Sequence, residues 1–223
     1  MRVLGIETST TSVSVALVEG GQIVLERAHN RPKQSAERLL PLIAELLTEA
    51  GWQRTSLDRL GVAVGPGSFT GLRVGIACAQ GLSLGLGVPL VGVASLRAMA
   101  RAVPASLPGV RCAVLDARRG EVFAAGYAAG PGAAPVLEPL ALLASSASEA
   151  LHAQLPAPIV WIGSGLVLLG LQPALVAQGT EEPAAGAVGL LAEELEPSAN
   201  PALPLYIRDA GATLPNLGAL AQH

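Results

Sequence analysis

Aromatic residues are scarce in this chain, with two Trp, two Tyr and two Phe in 223 positions. Its core must therefore be aliphatic, built from Leu, Val, Ile and Ala. Lysine is scarcer still. Lys33 stands alone, and the arginines are scattered apart from the doublet Arg118-Arg119. A formal charge of −3 and no basic run exclude a chain that grips a phosphate backbone alone, since such proteins carry a basic face. Any nucleic acid it serves is held mainly by another chain. The two cysteines, Cys78 and Cys112, show no C-x-x-C spacing, so the sequence offers neither a disulfide framework nor a thiolate metal site and reads as two buried thiols. Only four apolar residues separate Arg2 from Glu7, too few for a secretory leader, and a cytoplasmic protein is expected.

Charge is absent over two long runs, from Arg73 to Arg97 and from Glu149 to Glu181. Neither reads as a membrane span. The first is interrupted by Gly87-Val88-Pro89 and resolves into a helix and the buried strand 89–93. The second contains His152 and a short apolar strand, 159–162, between prolines and glycines.

What is present is a repeated plan. VLGIE (3–7) is a buried strand; SVSVALVEGG leads to a hairpin turn at Gly20-Gly21, and QIVLERA returns as a third strand. A helix follows, capped by Ser35, with Leu39, Ile43, Leu46, Leu47 and Ala50 on one face, Pro41 inside to bend it and Gly51 ending it. The strand 60–64 then runs into GPGSFTGLRVGIACAQGL (65–82) and a further helix. From Arg111 the plan starts again: CAVLD (112–116) ends in an acid as VLGIE does, ARRG turns into EVFAAGYAAG, and IVWIGSG (159–165) echoes LGVAVGPG (60–67). Two lobes of one βββαβα plan follow, residues 1–100, with the segment 205–223 able to join them, and residues 101–204. Residues 130–158 read as loops and one short helix.

The glycines at 65, 67 and 71 match neither G-x-x-x-x-G-K-[ST] nor G-x-G-x-x-G, because position 70 is Thr70 and no lysine follows. Ser68 or Thr70 caps the helix, or its first turn meets an anion. Along the helix Gly71, Gly75 and Ala79 fall at i, i+4 and i+8. Each interior glycine costs about 1 kcal/mol relative to alanine, so such a face needs another backbone close by, in the same domain or on a partner.

VLGIETSTTSVSVAL, GPGSFTGLRVGIACAQGL, GVASL, LDARRGEVF and LYIR together resemble the TsaB/YeaZ family, over residues 3 to about 208. The resemblance implies an α/β, actin-like ATPase fold of the sugar-kinase and Hsp70 type. It implies a non-catalytic subunit that binds and activates a TsaD-like paralogue, which forms N6-threonylcarbamoyladenosine next to the anticodon of tRNAs reading codons that begin with A. A TsaE-like ATPase is the implied third member, with tRNA met only through the complex. No cofactor is expected to bind tightly, with ATP at a complex interface.

Catalytic relatives carry an H-x-x-x-H metal pair. Here the histidines are His29, His152 and His223, so no metal and no catalytic residue is assigned. The implied partner surface is Leu39, Leu42, Ile43 and Leu46 with Gly71, Leu72, Gly75, Cys78, Ala79 and Leu82, a face on which the lone chain would form a homodimer. Glu7, Thr8, Ser9 and Asp116 mark a vestigial or shared nucleotide site. The competing reading is an ATP-dependent phosphotransferase of the same fold.

Overall fold

In a computed structural model the structure describes residues 1–29, 35–171 and 181–207. The first lobe opens with β1 (Arg2–Glu7), β2 (Val13–Glu19) and β3 (Gln22–His29), joined by antiparallel pairing. Gly20 and Gly21 both take positive φ, as the two-residue hairpin turn requires. Helix α1 (Ser35–Glu49) runs on through Pro41; its capping side chain at Ser35 lies outside the described residues. Next come β4 (Arg59–Gly65), helix α2 (Phe69–Leu86) and β5 (Leu90–Ala94). β4 lies parallel to both β1 and β5, giving a sheet of order β3-β2-β1-β4-β5.

Helix α3 (Ser95–Ala102) leads to the second lobe: β6 (Val110–Arg118), β7 (Glu121–Tyr127), β8 (Pro135–Leu143), α4 (Ala144–Gln154) and β9 (Ile159–Ile162). Its sheet has the order β8-β7-β6-β9, with β6 and β9 parallel and the other pairs antiparallel. That is the arrangement of β3-β2-β1-β4, so the duplication read from the sequence is real. Where the first lobe has an 18-residue helix after its glycine turn, the second has a short 3-10 segment, Ser164–Leu169. Residues 130–158 hold α4 as expected and also β8, a nine-residue strand that VLEPLALL conceals with its internal proline.

Helix α5 (Ala185–Glu194) is the last α-helix among the described residues and packs mainly on β1, β4 and β2 of the first sheet. Gly5 permits this, because a Cβ there would overlap the Ala185 carbonyl. Residues 185–194, assigned from the sequence to the stretch 101–204, thus pack with the first lobe. The chain then returns along β4, where the Leu205 N–H donates to the Val64 carbonyl at 2.7 Å.

Helices and sheets alternate in layers. Leu39, Leu42, Ile43, Leu46, Leu72, Ile76 and Ala79 fill the space between α1, α2 and the outer face of the first sheet. Leu96, Met99, Val188 and Leu191 of α3 and α5 fill the space between the two sheets. α4 covers the far face of the second sheet through Ala147 and Leu151.

Candidate functional site

Two surfaces remain after the cores are filled. One is a cleft of about 920 Å³ between the lobes. Its walls are the β1–β2 turn (Thr8 to Thr11), the start of α2 (Gly67, Ser68, Thr70, Gly71, Val74), the β6–β7 hairpin (Leu115 to Arg118, with Phe123), Ser164 and Glu182. Thr8, Ser9 and Asp116 come together here as the sequence suggested. Glu7 lies beneath them, fully buried.

The two acids differ in surroundings, and whereas Glu7 ends β1, Asp116 lies two residues before the end of β6. Asp116 is half-buried; one carboxylate oxygen accepts the Arg118 N–H at 2.7 Å and the other pairs with its guanidinium at 3.2 Å. Glu7 accepts the Ser9 N–H on Oε1 and has no partner on Oε2. Burial pushes the Glu7 carboxyl up to about 7, against the Ser9 hydrogen bonds that draw it down.

Two of the amides at the start of α2 are already engaged. The Ser68 N–H already donates to the Ser9 carbonyl at 2.6 Å, and the Gly71 N–H to the Ser68 hydroxyl at 3.2 Å. The Ser68 and Gly71 amides therefore have partners within the chain, and Ser68 is the cap. Arg118 is the one cation among the lining residues, and Asp116 occupies it.

The glycines of α2 answer to the same turn. Thr8 Oγ1 donates to the Gly71 carbonyl at 2.9 Å. A Cβ on Gly71 would overlap the Thr8 carbonyl, and one on Gly75 would overlap Thr8 Oγ1. The small-residue face is thus spent inside the chain, on close approach to the β1–β2 turn.

This corrects the expected partner surface. Leu39, Leu42, Ile43, Leu46, Leu72 and Ala79 are buried in the first lobe's own core, Gly75 is buried, and Gly71 faces Thr8. Cys78 and Leu82 are half-buried and only partly available. Burial raises the Cys78 thiol and pushes Cys112 up to about 12, so both stay protonated.

The second surface is the opposite face of α2. Phe69 (51% exposed), Arg73, Ala77, Gly81 and Leu84 (87% exposed) recur there at helical spacing. Gly81 and Gly85 meet nothing within 4 Å. Arg73 lies 3.8 Å over the Phe69 ring, Phe69 packs on Tyr206 at 5.4 Å, and Arg73 Nε donates to the Tyr206 hydroxyl at 3.4 Å. Leu40 of α1 is also exposed. The sequence did carry a signal for this face, because an amphipathic surface helix normally places charge on its outer side and α2 places only Arg73. By length and composition α2 could cross a membrane, yet its Leu72, Ile76 and Ala79 pack in the first lobe's core.

Of the histidines, His29 ends β3, and His152 sits on α4 beside Trp161 with Nδ1 2.8 Å from the Ser148 carbonyl. Among the described residues no group of three His, Cys, Asp or Glu forms a metal cluster. His223 and Arg208 lie outside the described residues.

A family model described as TsaD, tRNA N6-adenosine threonylcarbamoyltransferase, matches residues 22–139. The tRNA threonylcarbamoyladenosine biosynthesis protein TsaB of Escherichia coli K12 is 42% identical over 130 residues, covering 57% of this chain and 55% of that protein. The chain spans about half the length of the curated relatives it matches. The structure of YeaZ from Pseudomonas aeruginosa superposes with a TM-score of 0.75 at 27% identity, covering 92% of this chain and 99% of that one. An activator of 2-hydroxyisocaproyl-CoA dehydratase from Clostridium difficile, solved with ADPNP, shares the fold at 10% identity and a TM-score of 0.54, over 86% of this chain and 94% of that one.

Proposed function

The chain belongs to the TsaD-related family, within its TsaB/YeaZ group, and from that premise we propose that it is a non-catalytic subunit in N6-threonylcarbamoyladenosine formation on tRNA. Its role is to dock on a catalytic TsaD-like paralogue and hold it in a working arrangement. The observation that carries this reading is the outer face of α2, a helical surface with Arg73 as its one charge and with Leu84 almost fully exposed. Exposed apolar patches of this kind mark protein-binding sites.

The docking surface is accordingly Phe69, Arg73, Ala77, Gly81 and Leu84, with Cys78 and Leu82 at its margin. Without the paralogue, a second copy of the chain takes the same face and gives a homodimer. tRNA and a TsaE-like ATPase join through the assembly in the cytoplasm. ATP belongs at an interface of that assembly, where another chain supplies further cations. The phosphotransferase alternative is disfavoured by the same cleft, whose Ser68 and Gly71 amides and lining arginine are already engaged.

The test is reconstitution. Purified chain, the paralogue, the ATPase, tRNA, ATP, threonine and bicarbonate should give modified adenosine, and leaving out this chain should lower the yield at least tenfold. Undiminished modification without it, or sugar phosphorylation by the lone chain, would overturn the reading.

A further inference from the structure

Helix α5 ends on two acids, Glu193 and Glu194, with no basic residue in its last turn. The carbonyl end of a helix carries partial negative charge, so carboxylates there are unfavourable unless other groups compensate them. These two are compensated from different lobes. Glu193 accepts the Gly21 N–H at 2.7 Å, in the β2–β3 hairpin of the first lobe, and lies 3.9 Å from the N-terminal amine. Glu194 accepts the Gly132 N–H at 2.5 Å, in the β7–β8 turn of the second lobe. It also pairs with Arg101 of α3, through Nε at 3.0 Å and Nη2 at 2.8 Å. The same turn is held on its carbonyl side, where Arg97 Nε donates to Gly132 at 2.8 Å and to Ala133 at 3.1 Å. We propose that Glu194 is a pin that fixes the angle between the lobes and so sets the opening of the cleft.

Pin and cleft lie at opposite ends of the sheets. Gly21 and Gly132 sit by the first residues of β1 and β6, where Arg2 pairs with Glu19 and Arg111 with Tyr127, whereas the cleft walls follow the last residues of those strands. Between the ends, α3 and α5 fill the space with Leu96, Met99, Val188 and Leu191. Apolar burial is non-directional, so it holds the sheets together without fixing their rotation about α5. Hydrogen bonds do have direction. Those that join α5 to the first lobe are several: Ala185 N–H to Ser14 Oγ at 3.1 Å, Gly186 N–H to Glu26 Oε1 at 2.7 Å, and Arg59 Nη1 to the Ala192 carbonyl at 2.9 Å. Among the described residues only Glu194 makes such a bond from α5 to a strand or turn of the second lobe. It grips next to Ala133, which is 1% exposed in the shared core with φ 39°, so the turn cannot slide without moving a core residue. Over strands of six and nine residues a rotation of about 10° at the pin moves the cleft rim by about 4 Å.

The experiment reads the cleft on the full chain, without any partner, so the docking reading stands or falls separately. Spin labels go on Thr11→Cys, on the first-lobe wall, and Arg119→Cys, at the tip of the β6–β7 hairpin, both exposed, in a Cys78→Ser background. Cys112 is buried and takes no label. Labelled chain is diluted with unlabelled chain, so that pulsed electron paramagnetic resonance measures distances within one molecule. The parent should give one narrow distribution. Glu194→Ala should shift or broaden it by about 4 Å. Glu193→Ala, which frees only the first-lobe hairpin, should leave it unchanged. Should Glu194→Ala not fold, Arg101→Ala, which unseats the same carboxylate, is expected to broaden the distribution in its place. The proposal is overturned if the parent distribution is already broad, if losing the pin leaves it unchanged, or if Glu193→Ala changes it as much.

Discussion

The two faces of α2 have nearly the same composition and opposite uses. Toward the sheet, Leu72, Gly75, Ile76 and Ala79 are buried, with Gly71 and Gly75 pressed on Thr8. Away from it, Ala77, Gly81 and Leu84 are exposed and Gly81 meets no side chain at all. Small residues at four-residue spacing therefore show that something comes close, without showing whether it is the same chain or another. On this helix the close approach is internal, and the face left for a partner is marked by carrying a single charge, Arg73.

The comparison breaks most visibly from the inner side. Leu72→Ala should cost about 2–5 kcal/mol in urea unfolding, the range for emptying a filled aliphatic site. Gly75→Leu should be at least as damaging, because its side chain enters the space of Thr8. A stable Gly75→Leu protein that merely lost its partner would return the glycine face to the interface.

Next in size is the acid under the turn that this face grips. Glu7 moves from an ordinary 4.5 up to about 7 on folding, chiefly through burial. Below about pH 4.5 it is protonated in both folded and unfolded chains. As pH rises further, the unfolded chain releases the proton while the folded one keeps it, so stability falls until the pH passes 7. The loss should approach about 3 kcal/mol. Unfolding followed from pH 4.5 to 8.5 in wild type and Glu7→Gln measures it, and the variant should show a flatter profile. Smaller still is the aromatic cluster at the start of the outer face. Arg73→Ala should cost about 0.5–1 kcal/mol, the value of an exposed cation–π contact.

Much of this was legible from residues near one another in sequence. The duplicated strand, turn and helix signals gave both lobes, and Glu7 and Asp116 with Thr8 and Ser9 pointed to the cleft. β8 was hidden because Pro139 argues against a central strand, whereas β8 is an edge strand that tolerates proline. The seat of α5 and the place of Glu182 depend on contacts more than 150 residues apart, such as Ala185 N–H to Ser14 Oγ, and no local pattern carries them. The expected interface on α1 failed for a related reason. Leu39, Ile43 and Leu46 recur as an interface would, but that periodicity is equally the mark of a core.

The central claim is that the outer face of α2 is a docking surface and not a part of the fold. Leu84→Asp tests it most directly, by affinity for the catalytic paralogue measured beside urea unfolding. Stability should change by no more than about 0.5 kcal/mol, as for an exposed substitution. Binding should weaken at least tenfold, and modification should fall with it. Wild-type affinity in a folded Leu84→Asp protein would contradict the account.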